Sequence, residues 1–157
     1  MAIFNEYTPG LGSVGNYQVS GTPWITGSLI AASGATGDLN SSTQHVQFAY
    51  VTKEVTVMNL GDTDLAVHLA NDLGALGGTQ AAVGSHTFVI PPSGTAGSLN
   101  KMTFNMKTKD LYVTNTTASK VGKYQIYASL TRIDKLRMFA LTGSGINSEA
   151  GDTTITP

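Results

Sequence analysis

The chain has 157 residues, a formal net charge of −1 at pH 7 and no cysteine. The missing cysteines exclude disulfides, thiolate metal ligands and cysteine nucleophiles. Charged residues make up only 12% of the sequence, so many exposed positions must carry small polar side chains. The length predicts one domain with a core of its own. Such a weakly charged surface favours contact with other proteins.

Charge is unevenly divided along the chain. Residues 1–100 hold one base and six acids, a net of −5, and residues 101–157 hold eight bases and four acids, a net of +4. Solvated turns and strand edges explain this division, and complementary faces that meet between subunits would explain it too. The lysines between 101 and 123 have few aromatic residues among them, so nucleic acid is not an expected partner. No apolar run approaches the ~20 residues that span a bilayer, so a membrane is not expected either.

Residues 1–12 are predicted to form an extended N-terminal arm, because Pro9, Gly10 and Gly12 forbid a helix there. An arm of this composition cannot bury its apolar side chains alone, so we expect it to lie on its own sheet or on a neighbouring subunit. The apolar side chains that would make this contact are Ile3, Phe4, Tyr7 and Leu11.

Residues 13–133 are predicted to form the body of the protein. Residues 13–20 and 22–26 each fit a short strand, and residues 29–42 form a loop rich in Gly, Ala and Ser. Trp24 is the single tryptophan, and its place after Pro23 favours a plug at the edge of the core or at a subunit seam. We include it among the candidate contact residues.

Residues 45–70 hold three short runs in which apolar and polar residues alternate, the pattern of half-buried strands. Turns are predicted at residues 51–53 and 61–64, and the second of these is a hairpin signal because Gly and Asp tolerate positive φ angles. The inward-facing residues would be Val46, Phe48, Tyr50, Val55, Val57, Leu65, Val67 and Leu69.

Residues 71–85 form a long Gly/Ala loop, which is the candidate contact loop if the protein is a binding module. Further strands are predicted at residues 86–90, 101–106, 109–115 and 123–133, and the last is the longest and the most central. Strands spaced 8–12 residues apart predict an all-β fold, a single antiparallel β-sandwich. A jelly roll and an immunoglobulin-like sandwich fit this pattern equally well.

Residues 134–157 are predicted to form a C-terminal arm that opens with a helical turn. The remainder of the arm is polar and cannot build a core of its own. Its candidate contact residues are Leu136, Met138, Phe139 and Ile146.

No motif in the sequence points to catalysis. His45, His68 and His86 lie on or beside separate strands without metal-ligand spacing, so structural roles are favoured. Asp62 and Asp64 sit two apart, as in a calcium loop, but the other ligands of an EF-hand are missing and turn chemistry explains both. We expect no enzyme activity, no metal and no cofactor.

Three segments together resemble small virion structural proteins of tailed bacteriophages, particularly of marine and cyanobacterial phages. They are YTPGLGSVGNYQVSGTPWITG (7–27), TKEVTVMNLGDTDLAVHLA (52–70) and TKDLYVTN with KYQIYASLTRI (108–133). The resemblance implies a compact β-sandwich with extended termini that decorates, or cements, the capsid in the virion. It implies binding to major capsid protein and to sibling copies, hence a homo-oligomer, and it specifies no active-site residues. A receptor- or carbohydrate-binding module and a tail or neck component remain the alternatives.

Overall fold

The computed structural model describes residues 21–32, 42–69, 87–94, 97, 99–139 and 141. Two four-stranded antiparallel sheets face each other, with β1, β8, β3 and β6 side by side in the first sheet and β2, β7, β4 and β5 in the second. The strands are β1 (Thr22–Ile30), β2 (Thr43–Gln47), β3 (Tyr50–Asn59), β4 (Leu65–His68), β5 (Phe88–Ile90), β6 (Lys101–Phe104), β7 (Asp110–Asn115) and β8 (Gly122–Asp134). The all-β sandwich predicted from the sequence is confirmed.

The order of pairing identifies the topology as a jelly roll. β1 pairs with β8, β2 with β7, β3 with β6 and β4 with β5, all antiparallel, as in one long ribbon folded back at its middle. The ribbon is wound so that β8 also pairs with β3 and β7 with β4. Eight strands wound in this way are a jelly roll. An immunoglobulin sandwich would place its first two strands side by side, whereas β1 and β2 lie in different sheets.

The core lies between the sheets and follows the alternation read from the sequence. In β8, Tyr124, Ile126, Ala128 and Leu130 are buried, and the residues between them are exposed or half-buried. β8 is the longest described strand and is paired on both sides, as expected. The other buried apolar residues of this core are Ile30, Val46, Phe48, Val55, Val57, Leu65, Val67, Ile90, Leu111 and Val113.

Four local predictions were wrong. The turn expected at residues 51–53 is a part of β3, where the register against β8 shifts twice, as in a bulge. The chain bends before Tyr50 instead, which leaves that tyrosine 45% exposed rather than in the core. The turn at residues 61–64 is present but forms no hairpin, because it carries the chain from β3 in one sheet to β4 in the other. The strand expected at residues 22–26 runs on to Ile30.

Two buried asparagines secure the turns at one end of the sandwich. The Nδ2 of Asn59 donates to the carbonyl oxygens of Thr63, Ile90 and Pro91 at 2.6, 3.1 and 3.0 Å. Its Oδ1 accepts from the backbone N–H of Gly61 at 3.0 Å. Because the three carbonyls belong to the turn before β4 and to the end of β5, this one side chain holds the crossover between the sheets in place.

Asn115, at the end of β7, does the same for a second turn. It is fully buried, and its Nδ2 donates to the carbonyl oxygens of Ala31 and Lys120 at 3.2 and 2.7 Å. Its Oδ1 accepts from the Thr117 N–H at 3.0 Å. The end of β1 is thereby tied to the turn that leads into β8.

We expect Asn59→Ala to lower the free energy of unfolding by about 2–3 kcal/mol, because it leaves several buried backbone groups without a partner. Asn100→Ala is the matched control: Asn100 donates a single side-chain hydrogen bond, 3.2 Å long, to the Asn59 carbonyl. This control should cost about 1 kcal/mol or less. Urea denaturation of both variants measures the difference, and equal losses would contradict the role given to Asn59.

Candidate functional site

β1 is the feature of the fold that most resembles a contact surface. It lies at the edge of the first sheet, and β8 is its only neighbour among the described strands. Its nine residues, TPWITGSLI, include no charged side chain. Long apolar edge strands are unusual in isolated proteins, which blunt their edges with lysines, prolines or bulges to avoid pairing with other chains.

The two faces of β1 are both apolar. Trp24 and Ile30 point toward the core, whereas Ile25 and Leu29 lie on the outer face and are 65% and 61% exposed. The register places Ile25 beside Tyr127 of β8, which is 40% exposed. We call Ile25, Leu29 and Tyr127 the outer patch.

The backbone groups of β1 divide between β8 and the open edge. The Lys123 carbonyl accepts from the Leu60 N–H at 2.8 Å, so the peptide groups of Lys123 are directed toward β3. Neighbouring residues of an antiparallel strand direct their groups to opposite sides, so those of Tyr124 are directed toward β1, where its partner is Ser28. Alternation then directs the groups of Ile25, Gly27 and Leu29 away from β8, toward the open edge.

Pro23 and Gln44 agree with this assignment. Pro23 belongs to the same alternating set, and a proline in a sheet is tolerated where its missing N–H would face solvent. The carbonyl oxygen of Leu29 accepts a hydrogen bond of 2.7 Å from Nε2 of Gln44. Gln44 belongs to β2 in the second sheet, so this hydrogen bond comes from outside the pairing of β1 with β8. Oε1 of Gln44 in turn accepts from the Tyr124 hydroxyl at 2.7 Å. Burial raises the pKa of the Tyr124 phenol above its ordinary value.

An open depression of about 340 Å³ lies beside the outer patch. Gly27 is one of its lining residues, and a Cβ at that position would come to 3.1 Å from the Tyr124 carbonyl oxygen. Leu29, Leu60 and Lys123 are among the residues that line it. The depression leaves the backbone of β1 accessible at Gly27.

Trp24 lies at the edge of the core. Its ring meets the buried Phe48 ring edge-on, with centroids 5.1 Å apart and an interplanar angle of 78°. Trp24 is partly buried against the core, and the exposed large apolar residues of the same strand are its neighbour Ile25 and, farther along, Leu29.

The C-terminal candidates divide into two groups. Met138 is buried against Val51 and Ile133 in a second, small cluster, whereas Leu136 is 85% and Phe139 43% exposed. Leu136 lies in a 3₁₀ turn over Lys135–Arg137, which is capped by the Asp134 carboxylate, and Met138 and Phe139 follow that turn. Ile3, Phe4, Tyr7, Leu11 and Ile146 lie outside the described residues, as do the strand predicted at 13–20, the loop at 71–85 and His86.

Two of the three histidines form a ring stack on the outer face of the second sheet. Tyr112 lies between His45 and His68, with centroid distances of 4.3 and 5.5 Å. His45 Nε2 is 2.8 Å from the Asp110 carboxylate, and His68 Nε2 is 2.8 Å from the Thr114 hydroxyl. Within the described part of the chain, no group of three or more His, Asp or Glu side chains is placed to hold a metal ion.

Asp62, one of the two turn aspartates, forms an ion pair with Lys120 at 3.3 Å. The hydrogen bond and charge of Lys120 lower the pKa of the Asp62 carboxyl. The pair joins the acidic first part of the chain to the basic second part within one molecule, although both side chains are largely exposed and such pairs contribute little to stability.

Comparison with known proteins identified no relative: no family model, curated protein or solved structure matches the chain. No helix among the described residues is long and apolar enough to cross a membrane.

Sequence reasoning missed Ile25 and Leu29. The strand predicted at 22–26 ended before Leu29, which was assigned to the loop at 29–42, so the two residues were not recognised as members of one strand. The sequence did contain an indication. β1 has apolar residues at both odd and even positions, so its two faces both carry apolar side chains, and in an antiparallel sheet only one face packs on the core.

We expect Met138→Ala to destabilise the protein by about 2–3 kcal/mol, because it leaves a cavity beside Val51 and Ile133. Leu136→Ala, two residues away, should change stability by less than about 0.5 kcal/mol, since that side chain is exposed. Chemical denaturation of the two variants checks whether the 3₁₀ turn is packed onto the sandwich. Equal, small effects would show that it is not.

Proposed function

We propose that this chain is a non-enzymatic structural protein of a tailed-phage virion, a decoration protein that binds major capsid protein and sibling copies and so stabilises the shell. The observation that carries the proposal is the uncharged, exposed edge strand β1 with its outer patch. Exposed apolar surface on a folded domain marks sites that other proteins cover.

The fold is compatible with this role without selecting it. Jelly rolls occur in viral capsid domains, and they also occur in lectins and cupins. What favours assembly is the surface, which has exposed large apolar residues at β1, β8 and the 3₁₀ turn. The resemblance of residues 7–133 to phage virion proteins points the same way.

A decoration protein need not bind each site tightly. Burying apolar side chains yields about 25 cal/mol per Å², but ordering the partners consumes much of that gain. Copies that contact both the shell and one another add their contributions, so the assembled layer is held more firmly than any single copy. Weak contacts at several exposed positions of one small domain are sufficient for such a layer.

The proposal is tested on particles produced from the genome that encodes the chain. Antibodies against the recombinant protein should label phage heads, and quantitative mass spectrometry should find hundreds of copies per particle. Tens of copies with labelling at the tail or neck would replace the decoration role by the tail alternative. Absence from purified particles would overturn the virion role altogether.

A second candidate function, carbohydrate binding, has one observation in its favour. On the outer face of the second sheet, the half-buried Tyr112 ring lies against His45, next to the carboxylate of Asp110. Aromatic rings beside carboxylates are features that sugar sites use. Binding to a glycan array that is lost in Tyr112→Ala, and retained in Ile25→Ser, would favour this function over the shell.

A further inference from the structure

We propose that two copies of this chain associate edge to edge through β1, antiparallel about a twofold axis at Gly27, so that their first sheets become one eight-stranded sheet. The inference deepens the proposed function by naming one of its partners, a second copy. It is tested on the free protein in solution, so it and the virion role can fail separately.

The backbone supports this association because β1 presents a row of hydrogen-bonding groups at the open edge. Ile25, Gly27 and Leu29 direct their N–H and C=O groups away from β8, as derived above from the Lys123–Leu60 bond. Groups spaced two residues apart along a strand are what an added antiparallel strand requires. The Leu29 oxygen already accepts from Gln44 Nε2 at 2.7 Å and from the Ser28 hydroxyl at 3.2 Å, so pairing there requires the longer, exposed bond from Ser28 to give way.

The sequence of β1 favours a register with the axis at Gly27 over one with the axis at residue 26. With the axis at Gly27, each Gly27 faces its copy, and each Ile25 faces the partner's Leu29. Three pairs then exchange backbone hydrogen bonds on both sides. Pro23, which has no N–H, comes next and ends the ladder. An axis at residue 26 would instead place Pro23 opposite Leu29 and lose bonds within the ladder.

The side chains agree with that register. Ile25 and Leu29 are the most exposed apolar residues of β1, and both lie on the outer face two positions from Gly27. Pairing places Ile25 of one copy against Leu29 of the other, and apolar side chains directly opposite each other stabilise a sheet. β1 contains no charged residue, so no like charges face each other across the twofold axis. At the axis, Gly27 has no side chain, so no side chains meet there between the flanking Ile25 and Leu29 pairs.

A second copy is the occupant that these features fit best. An antiparallel twofold interface must be self-complementary, and β1 meets this condition through its uncharged sequence and the equal spacing of Ile25 and Leu29 around Gly27. One strand pair with four apolar side chains belongs to the small interfaces, at or below roughly 1,200 Å². We therefore expect a weak dimer whose population rises with concentration.

Cysteine pairs test the register directly, because the chain has no cysteine of its own. Full-length Ile25→Cys and Leu29→Cys proteins are prepared separately, mixed and oxidised. In the proposed dimer the two positions face each other with Cα atoms about 5.5 Å apart, within the range that a disulfide spans. In either variant alone, like cysteines are offset by four residues, about 13 Å along the strand.

The mixture should therefore form several-fold more disulfide-linked dimer than either variant alone. Equal yields in the mixture and in the single variants would overturn the register. A chain that stays monomeric at every concentration, as it would if another segment or capsid protein alone covered β1, would overturn the dimer itself.

A matched pair of charge variants tests the same contact without cross-linking. Ile25→Lys with Leu29→Lys places like charges opposite each other at both pairs, whereas Ile25→Lys with Leu29→Glu places opposite charges there. Both variants lose the same apolar contacts. The second should dimerise at least about tenfold more tightly than the first in sedimentation measurements. Equal dissociation constants would contradict the pairing of these two positions.

Discussion

The double pairing of β8 is the constraint on which the rest of the structure depends. Because this strand has neighbours on both sides, its backbone groups must alternate between β1 and β3, and its side chains must alternate between core and solvent. One hydrogen bond, from the Leu60 N–H to the Lys123 oxygen, fixes which residues face which neighbour. The exposed face and the open edge of β1 both follow from that assignment.

The interior pattern could be read from the sequence because it is local. Alternation in residues 123–133 predicted the central strand, and the same pattern predicted Val55, Val57, Leu65 and Val67 as core. The choice between jelly roll and immunoglobulin topology could not be read, since it depends on pairings such as β1 with β8, about 100 residues apart along the chain. Alternation says which face is buried and is silent about which strand lies beside it.

The errors have local physical causes. A bulge within β3 breaks the alternation at residues 51–53 in the same way that a turn would, so the two look alike in a sequence. Asn59 and Asn115 gave no signal either, because a buried asparagine is defined by the carbonyls that the fold brings to it. For the candidate site, Trp24 is conspicuous as the single tryptophan, whereas the exposure of Ile25 and Leu29 depends on which described elements cover the outer face of the first sheet.

The central claim is that β1 offers a free edge that a second copy can complete. Residue-resolved amide exchange at several protein concentrations measures this directly. In dilute solution, the outward N–H groups of Ile25 and Gly27 should exchange much faster than those of Trp24 and Thr26, which bond to β8. The outward groups should become protected as concentration rises, while the inward groups stay unchanged. Protection of Ile25 and Gly27 that does not depend on concentration would contradict the claim.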